Sequence, residues 1–299
     1  MPWSIIICSH NRAADLADNL PKVQALDYPL DRYEIIVIDN ASSDGTAAVA
    51  AAAGVRCVRE ERLGLSHARN RGIAESRGEF IGFIDDDAWP EPEWLQRLDD
   101  LFADPAVGCA GGQVVPEWGG NGKPSWLHER HVCLFTVVDY GDVTALRYSD
   151  YPAGTNIAFR RTVLESVGGF SSILGRTGQI LLSGEETDLC LRVERAGYDI
   201  RYAPRAVVHH QISASRLTKA WVKERAHWQG ISAALLEQHY LSAPSRFVKL
   251  LKYVLFAVAG SLANIVFTLL GQERDAFFCE CQVALCQAYL KKTLGRDVL

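Results

Sequence analysis

Three consecutive carboxylates, Asp85, Asp86 and Asp87, close the run Phe80-Ile81-Gly82-Phe83-Ile84. Adjacent acids repel one another unless a cation or basic side chains compensate. A hard divalent ion of the Mg²⁺ type is a natural partner, because its sites use one or two carboxylates plus substrate phosphate oxygens. A solvated acidic turn after a strand would use the same residues. Two further side chains have types suited to a nucleotide. Asp39, at the end of Glu34–Asp39, could accept from the N–H of a pyrimidine base or serve as a turn acid. Arg69 could neutralise a diphosphate or contact the base end, or else pair on the Asp39 side or sit on a solvated face.

The elements that must position these groups are legible as alternating periodicities. Apolar residues of β-branched and aromatic type mark strands at Trp3–Ser9, Glu34–Asp39, Val55–Arg59 and Phe80–Asp85. Helical stretches lie between them: Ala14–Leu26, the Ala-rich Thr46–Ala53 capped by Ser42 or Asp44, and a loop plus helix over Gly64–Arg77. Strands alternating with helices predict right-handed βαβ units and a mostly parallel sheet flanked by helices, an α/β fold. In such a sheet ligands collect beyond the carboxyl ends of strands, which is where Ser9, Asp39 and Asp85 fall. There is no Gly-x-Gly-x-x-Gly after the first strand and no lysine-bearing phosphate loop, so dinucleotide and P-loop readings lose their main support.

Four ordered motifs then carry a resemblance. They are the strand ending Ser9-His10-Asn11-Arg12, Val37-Ile38-Asp39-Asn40-x-Ser42-x-Asp44-Gly45-Thr46, Ala68-Arg69-Asn70-x-Gly72, and Phe83-Ile84-Asp85-Asp86-Asp87. Together they make residues 3–212 similar to a family 2 glycosyltransferase. That likeness implies a GT-A fold and a nucleotide-sugar donor, with inversion at the anomeric carbon. It also implies Mg²⁺ or Mn²⁺ on Asp85, Asp86 and Asp87, with Asp85 and Asp87 as the working acids. Ser9, Asn11, Arg12, Asp39 and Arg69 would line the nucleotide pocket, with Asp85 and Asp86 at its edge. The segment Gly154-Thr155-Asn156 resembles the family's small-residue stretch beside the donor sugar.

Inverting transfer needs a base for the acceptor hydroxyl. The family usually shows Glu-Asp at the start of the helix that here reads Glu185-Glu186-Thr187-Asp188. Glu186 aligns with the usual base, one methylene longer, which leaves the assignment between Glu186 and Glu185, with Asp188 a more distant acceptor contact. Acids in a first helical turn are also favoured simply by the helix dipole. In related enzymes a histidine at the end of the next strand, here Ala203–His210, can complete the metal shell or touch the diphosphate, which nominates His209 ahead of His210 as the metal ligand. Trp126 could stack on an acceptor sugar or lipid, or pack in a core. His128-Glu129-Arg130-His131-Val132-Cys133 lacks the spacing of a zinc site.

Length, composition and charge bound these readings. With 299 residues, 48% hydrophobic and 22% charged, the chain has ample material for a large core. A net charge of −5 gives no reason to expect nucleic acid as a partner. Eight scattered cysteines suggest reduced, buried thiols and hence a cytosolic catalytic face. Met1-Pro2-Trp3 leads straight into a strand, without the pattern of a signal peptide.

After His210 the composition shifts. Seven basic residues (Arg216, Lys219, Lys223, Arg225, Arg246, Lys249 and Lys252) stand against Glu224 and Glu237. An uncharged stretch of 19 residues, Tyr253–Gly271, follows. As a helix it would span about 28 Å, close to a bilayer core. Basic and aromatic residues before it fit a cytosolic membrane interface. A buried C-terminal helix is the alternative. The sequence thus predicts a catalytic domain over residues 1–212 and a helical, membrane-associated region over 213–299, at the cytoplasmic face of the cell membrane. The expected partners are a UDP-sugar and a glycan or lipid-linked acceptor. Two other classes compete: a sugar nucleotidyltransferase, which would want a Gly-rich lysine loop, and a non-catalytic sugar-nucleotide-binding scaffold, which would lose the acids.

Overall fold

The computed structural model describes residues 2–295. Its contacts divide the chain into two units: residues up to 117 with 136–178 and 185–211, and residues 118–135 with 179–184 and 212 onward.

The first unit is built on a sheet whose strands run β1 (Trp3–Ser9), β2 (Tyr33–Asn40), β3 (Arg56–Glu60), β4 (Phe80–Asp85), β5 (Ala88–Pro90), β6 (Val107–Trp118), β7 (Ala145–Leu146), β8 (Ile157–Arg160) and β9 (Asp199–Ile212). Their spatial order is β3-β2-β1-β4-β8-β6-β9-β5, with β7 paired to β9. The sheet is mixed. β3, β2, β1 and β4 pair in parallel, as the alternating motifs predict. β8 pairs antiparallel with both β4 and β6, and β5 antiparallel with β9. The connections α1 (Ala13–Gln24), α2 (Thr46–Ala52), α3 (Leu65–Glu75) and α4 (Trp94–Phe102) precede α5 (Arg161–Val167) and α6 (Glu185–Arg195).

Why β1 sits centrally follows from its sequence. A strand covered on both faces reads as an unbroken apolar run, and Ile5, Ile6 and Ile7 are each at most 1% exposed. Period-two alternation divides them between two cores. Trp3, Ile5 and Ile7 join Leu16, Leu20 and Val23 of α1 and Trp94, Leu98 and Phe102 of α4. Ile6 joins Phe83, Ile157, Phe159 and, from α6, Leu189, Cys190 and Val193. Each such buried side chain contributes about 1.5–3 kcal/mol relative to exposure. The α2 start is held by Asp44, whose carboxylate accepts from Thr46 N at 3.0 Å and, across the loop, from Ala13 N at 3.0 Å. All eight cysteines are free.

The second unit is helical: α7 (Lys219–Tyr240), α8 (Ala243–Leu269) and α9 (Glu273–Thr293), with a 3₁₀ turn over Glu129–Phe135. Thr218 caps α7 by accepting from Trp221 N. Close helix packing shows at Gly230, where a Cβ would lie 2.1 Å from the Leu285 carbonyl oxygen of α9. Trp126 belongs to this unit and meets Phe277 edge-on, ring centroids 5.4 Å apart. His131 is buried beside Phe278 at 4.8 Å, with neither ring nitrogen hydrogen-bonded.

Candidate active site

Register brings the first acids together. Ser9 lies opposite Asp39 across β1 and β2, and Cys8 opposite Asp85 across β1 and β4, so three parallel strands deliver their polar ends side by side. Asp86 and Asp87 are buried there. Asp86 accepts from Ser9 Oγ at 2.7 Å and lies 3.1 Å from Arg12 Nε. Burial, with the Asp87 charge added, pushes the Asp86 carboxyl up to about 7 despite Arg12. Asp87 accepts from Arg12 Nη2 at 2.9 Å, and its other oxygen lies 3.3 Å from His210 Nε2. Arg12 therefore clasps two adjacent carboxylates that would otherwise repel.

Asp85 points away from that clasp and is the most exposed of the three. It lies 3.5 Å from Arg69 Nη2, and Arg69 Nη1 donates to Glu185 Oε1 at 2.8 Å. One buried guanidinium thus joins β4 to the start of α6. A third bond runs from Arg69 Nη2 to the Gly154 carbonyl at 3.2 Å. A Cβ on Gly154 would fall 2.5 Å from that nitrogen, so only glycine leaves the arginine its path. Glu185 is pushed up to about 8, first by burial and then by Glu186, against the pull of Arg69. Oε2 of Glu185 and Oε2 of Glu186 are buried without a hydrogen-bond partner. Thr155 Oγ1 is in the same condition.

Other nominated residues make their contacts elsewhere in the first unit. Asn156 is fully engaged in the core: Nδ2 donates to the carbonyls of Gln113 and Ala206, and Oδ1 accepts from Trp94 Nε1 at 2.9 Å. With both amide hydrogens donated and Oδ1 engaged by Trp94, it pins β6, β9 and α4 together. Asp188 accepts twice from Arg192, which also holds the carbonyls of Val167, Gly168 and Gly169. Asn11, at φ 52°, links the β1 and β2 loops through Ser42 Oγ and Ser43 N. His209 turns to the other face of β9, as period two requires. It stacks on Trp89 at 5.4 Å and pairs with Glu117 at 2.8 Å, leaving its neighbour His210 beside Asp87.

Residues 4–168 match Glycosyl transferase family 2. The chain belongs to that family. A glucosyl-dolichyl phosphate glucuronosyltransferase of Haloferax volcanii is 28% identical over 276 residues, covering 89% of this chain and 87% of the relative. A pre-mycofactocin glycosyltransferase of Mycobacterium tuberculosis is 28% identical over 228 residues, covering 73% of this chain and 46% of the relative. Among solved structures, a mannosyltransferase of Pyrobaculum calidifontis in complex with GDP-Man and Mn²⁺ superposes with TM-score 0.63 at 21% identity, over 99% of this chain and 88% of that one. TarS of S. aureus in complex with UDP gives 0.53 at 14% identity, over 100% of this chain and 93% of that one. At those identities the structural likeness speaks for the fold, which is the GT-A type. The enzyme is a glycosyltransferase.

One residue beside the strand-end acids of the glycosyltransferase, Arg59, escapes a reading by motif, and another, His210, is ranked behind its neighbour by it. Arg59 Nη1 donates to Asp39 Oδ2 at 2.7 Å, while Asp39 Oδ1 accepts from Ser42 N. Arg59 sits directly across from Asp39 in the β2–β3 register, a cross-strand relation that no local pattern announces. His210 is recognised only by the face it takes.

The donor set can be tested against a divalent cation. Among the described residues no group of three or more His, Cys, Asp or Glu converges as a metal cage. What the site offers is a carboxylate and an imidazole, Asp87 and His210, at 3.3 Å. One or two protein ligands completed by substrate phosphate oxygens are what a Mg²⁺-type ion uses. The residues fit a cation that arrives with a diphosphate.

Proposed function

We propose that this glycosyltransferase inverts the anomeric centre, moving a sugar from a UDP-sugar to a hydroxyl of a glycan or lipid-linked acceptor in one displacement. The observation that carries the reading is the buried Arg69, shared by Asp85 and by Glu185, which stand on motifs a hundred residues apart in the chain. It supports a single pocket in which donor and base motifs work together. Ser9, Asn11, Arg12, Asp39 and Arg69 would hold the nucleotide, and Gly154 and Thr155 would lie beside the sugar.

Glu186 would take the acceptor's proton. The Oε2 atoms of Glu185 and Glu186 are both buried without a partner, but Glu185 is held by Arg69 through Oε1 and Asp188 by Arg192, which leaves Glu186 without an arginine on it. As the acceptor oxygen bonds to the anomeric carbon, the bond from that carbon to the diphosphate breaks and the nucleoside diphosphate leaves. Asp87 and His210 would hold the Mg²⁺ or Mn²⁺, which when bound supplies positive charge against the leaving diphosphate. Arg12 must release Asp87 in part for that to happen, and Asp86 and Asp15 remain to receive it.

A lipid-linked acceptor is supported by the name of the Haloferax relative, and a membrane location by the apolar α8. On this reading residues 1–212 catalyse at the cytoplasmic face and 213–299 associate with the membrane. The test is release of nucleoside diphosphate by purified protein across UDP- and GDP-sugars, with Mg²⁺ or Mn²⁺ and with chelator. One donor should turn over with metal only. Asp87→Ala should abolish that turnover, and Glu186→Gln should lower it roughly 10²–10⁴-fold while donor still binds. Metal-independent turnover would remove the Asp87–His210 assignment, and undiminished Glu186→Gln would remove the base.

A further inference from the structure

Among the described residues, none packs on the outer face of α8. None of its apolar window is buried, although the helix is long and apolar enough to cross a bilayer. One face is used: Tyr253 stacks on Tyr289 of α9 at 3.7 Å, Gly260 lies against Val283, and Asn264 Nδ2 donates to Ala276 O at 2.7 Å. The descending partner numbers make α8 and α9 antiparallel along their lengths. α9 is held in turn by α7 through Gly230 against Leu285 and through Tyr289 to Glu237 at 2.7 Å. On the face of α8 opposite α9, Leu251, Leu255, Val258, Leu262, Ile265 and Leu269 recur at three- and four-residue steps, each exposed. The hydroxyls of Ser261 and Thr268 are satisfied within the helix, by Ala257 O and Asn264 O.

We propose that α8 docks lengthwise on an anionic lipid surface, lying in the plane of the interface rather than crossing it. The inference rests on the proposed membrane association and specifies its geometry. A crossing helix would draw α9 in with it, and α9 carries Glu280 level with the middle of the apolar stretch of α8, with Glu273, Arg274 and Asp275 beside its C-terminal end. Charges at the bilayer centre are strongly disfavoured. An in-plane helix buries its apolar face in the headgroup and acyl boundary and keeps its polar side in water. Here α9 takes the place of that polar side, which is why α8 itself lacks one. Arg246 and Lys252 at its first turns supply positive charge for anionic headgroups, while Lys249 is taken up by Glu237 of α7.

A second copy of the chain is the other occupant the spacing allows, since three- and four-residue steps also make a coiled-coil seam. Such a seam is narrow and flanked by charged positions that set pairing. Here the flanks are Phe247, Val248, Val254, Ala259 and Val266. The apolar surface is too broad for a two-helix seam and has no charge to specify one.

The full-length chain would be floated with phosphatidylcholine vesicles containing or lacking phosphatidylglycerol. Wild type should float with the anionic vesicles, and Leu255→Glu with Leu262→Glu should lose at least tenfold of that binding with the same melting temperature. Ser242→Cys and Gln272→Cys, at the two ends of α8, would then be labelled singly by an impermeant maleimide on sealed vesicles. Cys8, Cys57 and Cys133 would be replaced by serine in that background. Labelling of both from outside supports the in-plane helix. Protection of Gln272→Cys until detergent is added means a crossing helix, which overturns the inference but leaves membrane association standing. No flotation of wild type removes both, and a dimer lost in the double glutamate variant would give the face to a second copy.

Discussion

At the ends of β1, β2 and β4 charged side chains are buried, while along α8 apolar side chains are exposed. Both regions invert the usual distribution, and they do so with different support. The strand-end acids are held by partners from distant parts of the chain: Arg12 on Asp86 and Asp87, Arg59 on Asp39, Arg69 on Asp85 and Glu185. The outer face of α8 is held by none of the described residues. A buried charge must be compensated inside the fold or neutralised, whereas an exposed apolar face awaits something outside it. The first kind of departure marks where a small polar ligand can exchange for internal partners. The second marks where a large surface must arrive.

The comparison can be broken most forcefully at Arg69. Arg69→Ala strips the buried partner from Glu185, and removing one member of a buried pair costs about 3–5 kcal/mol. Chemical denaturation should register that loss along with loss of turnover. Should stability hold, Arg69 is not what reconciles the acids to burial. In the second unit the matching internal contact is the approach of α7 to α9. Gly230→Ala would force those backbones apart, at about 1–3 kcal/mol for overpacking, and thermal melts would show it. By contrast Leu262→Ser, on the outer face of α8, should stay within about 0.5 kcal/mol of wild type in detergent-free buffer, as surface changes do. A larger loss there would mean that the face is packed in solution.

The two units also differ in how their stability follows pH. Glu185 is raised to about 8, so its folded state holds a proton that the unfolded chain releases at ordinary carboxylate pH. That contribution is complete below pH ~4.5 and is lost as pH climbs to about 8. His131 is lowered to about 4 by burial, with His128 adding to it. Its contribution is present above pH ~6.5 and is lost as pH falls through about 4. Melting temperatures of wild type relative to Glu185→Gln should decline between pH 5 and 8.5, and relative to His131→Leu should rise between pH 4 and 6.5. Parallel profiles for either pair would mean that the group titrates as it does in the unfolded chain.

Much of the first unit was legible because its signals are local. The Ile5-Ile6-Ile7 run, the Asp44 cap and the abrupt end of β4 in acids each declare themselves within a few residues. The antiparallel half was less so. β8 is four residues long and finds its place through pairing with β4 and β6, neither adjacent in sequence. Asn156 and His209 illustrate the same gap within the site. Both have the right chemistry and the right neighbourhood, yet Asn156 is spent on Trp94 and two carbonyls, and His209 on Trp89 and Glu117.

By itself the sequence determined the strand–helix alternation, the acids at strand ends, the family and the apolar character of residues 253–271. Those follow from short-range periodicity and from residue chemistry, which survive without a third dimension. Tertiary structure alone decided that His210 rather than His209 meets Asp87, that Arg59 answers Asp39 and that Arg69 joins Asp85 to Glu185. It also decided that α8 keeps one face for α9 and leaves the other bare. Each of these is a choice of partner a dozen to more than a hundred residues away, made by strand register and helix packing, which no local pattern along the chain records.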